Sequence, residues 1–324
     1  MKKLLLALAV AGAAVSAQAD VSVSGHVNYA MGDTEDFTGN EGFSVSNNGA
    51  SGSRFRIVAS KEANGITYGT RQELGLDSGS GAPFGRVSQL TAAGDFGQFS
   101  LGQGWESGDD IAELDFSGTY VAGSGAGGYQ FGGTQTDNID GGRDQRLRYD
   151  SPKLGSAVNI AADFDTDDSF GISVLAGGDN WKAGVFTESE GDTNVKSVGG
   201  AIAFKMAGFT AAIHKGAADR NTDSDLSTDD GDVDYTAVIL GYSVGKVSVA
   251  IHSENREETN AASVAQVDNT STGVSFNYAP TGGVQFYASF RNAESDIVGS
   301  GGNVYQAGTS DKGTGFIVGG RVKF

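Results

Sequence analysis

The chain contains no cysteine in 324 residues, which excludes a disulfide framework, a thiolate metal site and a catalytic thiol. Proline occurs three times and tryptophan twice. A proline-rich linker and a collagen-like repeat are both excluded, because the 51 glycines follow no fixed period. Positive charge is also scarce: 22 Lys and Arg stand against 40 Asp and Glu, a formal net charge of −18. Nucleic acid is not an expected partner, since contact with a phosphate backbone needs clustered Lys and Arg. Beyond residue 19 no apolar run approaches the ~20 residues of a membrane-spanning helix, and no segment keeps a helical period, which excludes an inner-membrane helical protein and α/β architectures.

What is present begins with an export signal. Lys2-Lys3 supplies a positive start, Leu4 to Val15 a short apolar run, and Ala17-Gln18-Ala19 a small-residue cleavage site. Residues 1–19 are therefore expected to be a cleavable signal peptide, and the mature chain, 20–324, one domain.

From Asp20 onward the sequence alternates. Val21, Val23, Val27 and Tyr29 share one parity against Ser22, Ser24, His26 and Asn28; Phe55, Ile57 and Ala59 alternate with Arg54, Arg56, Val58 and Ser60. Such alternation is that of strands with one oily face. Asn64-Gly65 between two alternating runs predicts a hairpin, since both residues accept the positive φ that tight turns require. Continued to Phe324, the pattern yields about sixteen strands, with polar loops including Gly32 to Gly52, Lys215 to Val233, Asn255 to Asp268 and Glu294 to Gly313. Connections are alternately longer and polar, then two to four residues long. Short turns on one side and longer loops on the other are the signature of a bacterial transmembrane barrel. The expected fold is all-β, a transmembrane antiparallel β-barrel of 16 strands. Closure pairs every backbone group in lipid without leaving an edge, and only one face of each strand must be apolar. A content of 38% hydrophobic residues is enough. Tyr29, Tyr68, Tyr149, Trp181, Tyr242, Tyr287 and Phe324, near strand ends, are expected in the interfacial girdles.

One stretch breaks the pattern. From Trp105 to Gly142 no period survives, and acids gather at Glu106, Asp109, Asp110, Glu113 and Asp115. Directly afterwards Arg146 and Arg148 alternate with Leu147 and Tyr149. A structureless loop of this length in a compact domain is usually functional or disordered. Our reading is that it is the long third loop, folded into the lumen, with its acids facing arginines on the wall.

At this point the chain resembles the Gram-negative general diffusion porins, particularly the alphaproteobacterial type. The likeness rests on the signal, on Asp20-Val21-Ser22-Val23-Ser24-Gly25, on Gly94-Asp95-Phe96-Gly97-Gln98-Phe99-Ser100-Leu101-Gly102-Gln103, on Arg148-Tyr149-Asp150-Ser151-Pro152, and on the terminal Gly319-Gly320-Arg321-Val322-Lys323-Phe324. It implies an outer-membrane homotrimer whose water-filled channels pass small hydrophilic solutes and ions by passive diffusion. The matching acidic loop residues are Glu106, Asp109, Asp110, Glu113 and Asp115, and the matching basic wall is Arg54, Arg56, Arg71, Arg86, Arg146 and Arg148. Arg86 fits least well, because Val87-Ser88-Gln89-Leu90-Thr91 alternates poorly. No cofactor is required by the resemblance, although calcium at Glu106, Asp109 and Asp110 is consistent with it. Outer-membrane lipid and lipopolysaccharide are the expected surroundings, and the acidic loops suggest a weak cation preference.

Three other readings compete. A substrate-specific outer-membrane channel would use the same barrel. A barrel-borne hydrolase would draw on the only histidines, His26, His214 and His252, with Ser253 beside His252, but no nucleophile-elbow or His-Glu-x-x-His motif occurs. A calcium-binding β-roll would need a nine-residue repeat, and Gly141-Gly142-Arg143-Asp144 stands alone.

Overall fold

Alternation of side chains decides which face of each strand meets lipid. In the computed structural model, which describes residues 19–34, 43–47, 51–76, 83–122, 143–155, 157–166, 168–191, 195–220, 231–260, 266–298 and 310–324, Leu240, Tyr242 and Val244 point outward and are exposed, while Tyr235, Ala237 and Ile239 of the same strand are buried inside. The strand segments run β1 (Asp20–Thr34), β2 (Phe43–Asn47), β3 (Arg54–Ala63), β4 (Ile66–Leu76), β5 (Pro83–Gly94), β6 (Gly97–Trp105), β7 (Arg143–Asp150), β8 (Val158–Asp165) and β9 (Phe170–Gly177). They continue as β10 (Trp181–Ser189), β11 (Val195–Met206), β12 (Phe209–Arg220), β13 (Gly231–Val244), β14 (Val247–Asn260), β15 (Gln266–Thr281), β16 (Val284–Val298) and β17 (Ser310–Lys323). The expected leader, residues 1–19, lies outside the described residues except for Ala19.

All segments join one antiparallel sheet that closes on itself. On one edge of β1, His26 to Thr34 pairs with Lys323 to Gly315 of β17. On its other edge, Asp20 to His26 pairs with β3 and Tyr29 to Asp33 with β2. Segments β2 and β3 thus lie end to end in a single wall position, and the barrel has 16 strands. At their junction buried polar side chains replace the missing ladder: Asn28 Nδ2 donates to the Ser51 carbonyl at 2.7 Å, the Ser53 amide to Asn47 Oδ1 at 2.7 Å, and Asn47 Nδ2 to the Leu76 carbonyl at 2.6 Å. A gap of this kind inside a barrel must be filled by internal partners. The C-terminus completes the seam, since Gly25 and Phe324 exchange backbone hydrogen bonds at 3.0 Å in both directions.

The hairpin at Asn64-Gly65 has the expected positive φ at both residues, 54° and 77°. Elsewhere the strands outrun the oily pattern. The loop expected over Gly32 to Gly52 contains the end of β1 and all of β2, and β12 to β17 extend into the polar stretches around residues 220–231, 260–266 and 298–310. Ladder hydrogen bonds persist above the membrane, where the outer face meets water and needs no apolar residue. Tyr287 also differs from expectation. Instead of joining a girdle it points inward, 2% exposed, and donates to Asn28 Oδ1 at 2.7 Å. Phe286 and Phe290 occupy the outward parity of β16, and Gly319 on β17 leaves room for the inward phenol, whose Cζ would lie 2.3 Å from a Cβ there. Tyr29, Tyr68, Trp181, Tyr242 and Phe324 are exposed on the outside.

The apolar interior is not a conventional core. Ala201, Ala203, Ala212, Ala237 and Ala250 give the inner face of β11–β14 a shallow apolar wall, and Phe186, Tyr235 and Ile239 add bulk. Against it pack Ile111 and Leu114, from the chain between β6 and β7. Small wall residues make space for that segment, and burying it there stabilises both.

Candidate functional site

Residues 106–122 follow β6 and run along the inward-facing side of the wall, whereas 123–142 lie outside the described residues. The segment is not wholly irregular. Asp109–Ala112 makes one helical turn and Tyr120–Ala122 a 3-10 turn. Its root is held by two wall carboxylates: the Ser107 amide donates to Asp163 Oδ2 at 2.7 Å, and the Gly108 amide to Glu188 Oε1 at 3.0 Å. Ile111 then sits over Gly184, where a Cβ would come within 2.7 Å of its side chain. Farther on, Asn277 Nδ2 donates to the Gly118 carbonyl at 2.9 Å. Val121 and Ala122 finally pack with Ala30, Tyr287 and Ile317. Among the described residues the packing of the segment thus runs along the inner wall from β8 round to β1, to one side of the sector formed by β3, β4 and β5.

That sector carries four of the six predicted arginines, and they converge on a carboxylate that the sequence reading did not single out. Glu73 on β4 has no solvent exposure. Its Oε2 accepts Arg56 Nε at 2.8 Å, Arg56 Nη2 at 2.6 Å and Arg71 Nη2 at 3.1 Å; its Oε1 accepts Arg86 Nε at 3.1 Å and Arg54 Nη1 at 3.4 Å. Arg56 and Glu73 are direct cross-strand partners. Arg86 reaches the group through a β-bulge: Glu73 pairs with Val87 and Leu74 with Gly85, so Arg86 is the extra residue. The bulge turns Arg86 and the buried Val87 to the inner face in succession, so the inward parity of β5 changes at that point. Four positive charges against one negative leave this cluster a surplus of three.

The other two predicted arginines belong to a different structure. Arg146 is buried, donating to Glu106 Oε1 at 2.8 Å and to Asp163 Oδ1 at 2.7 Å, with Asp144 at 3.6 Å. Arg148 donates to Asp150 at 2.7 Å and to the Glu106 carbonyl at 2.6 Å, with Asp110 at 3.7 Å. Together they fasten the root of the segment to the wall.

The predicted acids divide likewise. Glu106 is enclosed with Arg146. Asp115 accepts from the Ser117 amide and hydroxyl, both at 2.6 Å, and so shapes its own turn. Asp109 and Asp110 open the helical turn, and Asp110 and Glu113 are exposed. Glu113 accepts from the Tyr120 phenol at 2.9 Å and lies in the field of Arg54 and Arg86. Desolvation within the barrel raises the Glu113 carboxyl above its usual range, and neighbouring Asp110 adds to the rise while Tyr120 and the two arginines oppose it. Burial likewise raises Glu106, against the pull of Glu188 and Arg146, and raises Asp115 against its bonds to Ser117. The Tyr120 phenol is held well above its usual value by burial and by Glu113.

Further basic groups escaped the sequence reading. Lys182 and Lys205 place their ammonium groups 6.0 Å and 5.1 Å from the Phe116 ring centroid, a cation–π arrangement. Among the described residues no three His, Asp or Glu side chains gather in a way that could hold a metal ion. Of the three acids named for calcium, Glu106 is engaged by Arg146, and Asp109 and Asp110 open the helical turn that follows. The pairing of His252 with Ser253 is broken by the same alternation that builds the barrel, since His252 is buried inside while Ser253 points outward.

A closed antiparallel barrel with an oily exterior and a lumen lined by charge defines a transmembrane channel. A family model for Gram-negative porins matches residues 5–310, and the chain belongs to that family. Three solved structures are similar over nearly their whole length. The anion-selective porin from Comamonas acidovorans is 17% identical with a TM-score of 0.70, covering 95% of this chain and 100% of that one. Vibrio cholerae OmpT, folded in vitro and in its trimer form, is 16% identical with a TM-score of 0.67 (95% and 100%). The outer membrane channel DcaP of Acinetobacter baumannii is 14% identical with a TM-score of 0.68 (95% and 98%). No curated protein sequence matches the chain. The protein is an outer-membrane channel for diffusion, and its family and fold are those of a channel rather than of an enzyme.

Proposed function

We propose that the passage between the Glu73-centred arginines and the loop face bearing Asp110, Glu113 and Tyr120 is the constriction of a general diffusion pore. Opposed rows of charge set a transverse field across the lumen. Small polar solutes reorient in that field and pass, whereas apolar ones must displace its water and leave charges poorly solvated. The observation that carries this reading is the placement of Arg54, Arg56, Arg71 and Arg86 together on β3–β5, with Glu113 of the loop in the field of Arg54 and Arg86. Planar-bilayer recording of the purified protein tests it. Stepwise conductance that grows in proportion to salt is expected, and a membrane that stays sealed overturns the reading.

A second reading, a channel specific for anionic solutes, is favoured by the surplus of three positive charges around Glu73. It runs against the weak cation preference suggested by the loop acids. Zero-current potentials in a salt gradient decide the sign, and saturable block by phosphate, absent with a neutral sugar, would mark specificity. The homotrimer is proposed from the family and from the trimer form of the Vibrio cholerae protein; closure in three equal steps is its signature. Lipopolysaccharide is the proposed outer-leaflet neighbour, and no cofactor enters the reading.

A further inference from the structure

Glu73 is a carboxylate sealed from solvent on the inner face of β4, with four guanidiniums from β3, β4 and β5 pointed at its two oxygens. We propose that Glu73 is the positioning residue of the basic wall: it clamps the four guanidiniums at one level of the lumen and sets the balance between anions and cations there. This rests on the reading that the arginine wall lines the passage.

Five hydrogen bonds fill the roughly four lone-pair positions of a carboxylate. Glu73 therefore has no acceptor capacity left for a permeating cation, and its role is toward the arginines. Guanidiniums stay charged at neutral pH, so four of them this close cannot relieve their repulsion by losing protons. One fixed anion in their midst can, and charge-assisted bonds are strong enough to hold each in a defined geometry. The backbone is arranged to the same end. The β-bulge opposite Glu73 and Leu74 is the feature that brings Arg86 to the cluster, and Arg56 occupies the cross-strand position directly facing Glu73. Arg54 and Arg86 are the more enclosed pair, while Arg56 and Arg71 are about one-third exposed. Glu73 thus stands behind two guanidiniums that face the lumen and gathers all four around one carboxylate.

The test compares wild type, Glu73→Gln and Arg56→Gln in planar bilayers under a potassium chloride gradient, using preparations that run as folded, heat-modifiable barrels. In Glu73→Gln the ratio of chloride to potassium permeability should rise about twofold or more, because the positive surplus of the cluster grows from three to four. Open-channel noise should rise as well, since the guanidiniums are no longer held. Formate should quiet Glu73→Ala channels by standing in for the lost carboxylate, and formate without effect counts against the proposal. A folded Glu73→Gln with wild-type potential and noise overturns it. If Arg56→Gln also leaves the potential unchanged, the reading of the arginine wall fails, and this inference with it. Should Glu73→Gln not fold, a folded Glu73→Gln/Arg71→Gln double variant supports the proposal by relieving the same crowding, and an unfolded one overturns it.

Discussion

Arg146 on β7 and Glu106 at the root of the loop form a closed ion pair, Nη2 to Oε1 at 2.8 Å, and neither side chain is more than 7% exposed. Asp163 takes the second arm of the guanidinium and the Ser107 amide as well. These groups do not line the passage. They weld the entry of the loop to β7 and β8, and so decide where the rest of it lies.

Replacing Arg146 by Met should therefore act on stability. It leaves Glu106 and Asp163 enclosed without a cation, a change that typically costs about 3–5 kcal/mol. The urea midpoint of the folded barrel in detergent should fall. Adding Glu106→Gln should recover part of the loss, and a double variant no more stable than the single one would remove Arg146–Glu106 from the anchor.

Acid should shift the selectivity of the pore toward anions. Glu113 is the exposed loop acid whose carboxyl is raised above the ordinary 4.5, so it takes up its proton at a higher pH than an ordinary glutamate. As pH falls, the acidic side of the passage loses charge while the arginines keep theirs. The zero-current potential should begin to move before ordinary carboxylates titrate, and Glu113→Gln should remove that early phase. An early phase that persists in Glu113→Gln would assign it to another group.

The barrel itself was legible in the sequence because lipid on one side and water on the other impose a strict period of two. Val21 to Tyr29 and Phe316 to Phe324 show it, and Asn64-Gly65 marks its turn. The strand ends were not legible. Above the membrane the constraint on the outer face vanishes while the ladder continues, as in β12 through Arg220. The arginines of the inner face could be named from parity alone, but their convergence could not. It depends on cross-strand register, on a bulge at Arg86 and on Glu73, which reads in sequence as one more acid on a wet face. Nor could parity separate Arg146 and Glu106, sealed behind the loop, from Arg56 and Arg71 in the lumen, because enclosure there is created by a segment folding back from elsewhere.

Ile111 should hold the loop without contributing to the barrel. It packs on the inner wall beside Phe186 and over Gly184, and cutting it to Ala should weaken the docking by about 2–4 kcal/mol through lost burial and a cavity. Channels of Ile111→Ala should be noisier, with the heat-modifiable barrel band unchanged. A lowered temperature of barrel unfolding with quiet channels would show the opposite division of labour.

The four arginines should not be equivalent to a passing ion. Arg56 and Arg71 are 34% and 35% exposed, against 19% for Arg54 and 14% for Arg86. Field at the ion path falls with distance and with intervening protein, so neutralising an exposed guanidinium removes more of it than neutralising an enclosed one. Arg56→Gln and Arg71→Gln should each shift the zero-current potential toward cations, by about twice as much as Arg54→Gln or Arg86→Gln, and the shift should shrink at 1 M salt, where screening reaches only ~3 Å. The enclosed pair should instead show itself in stability, because removing Arg54 or Arg86 takes a partner from Glu73 in a site without water to replace it. Equal shifts from all four variants would mean that the passage runs through the middle of the cluster rather than past its exposed edge.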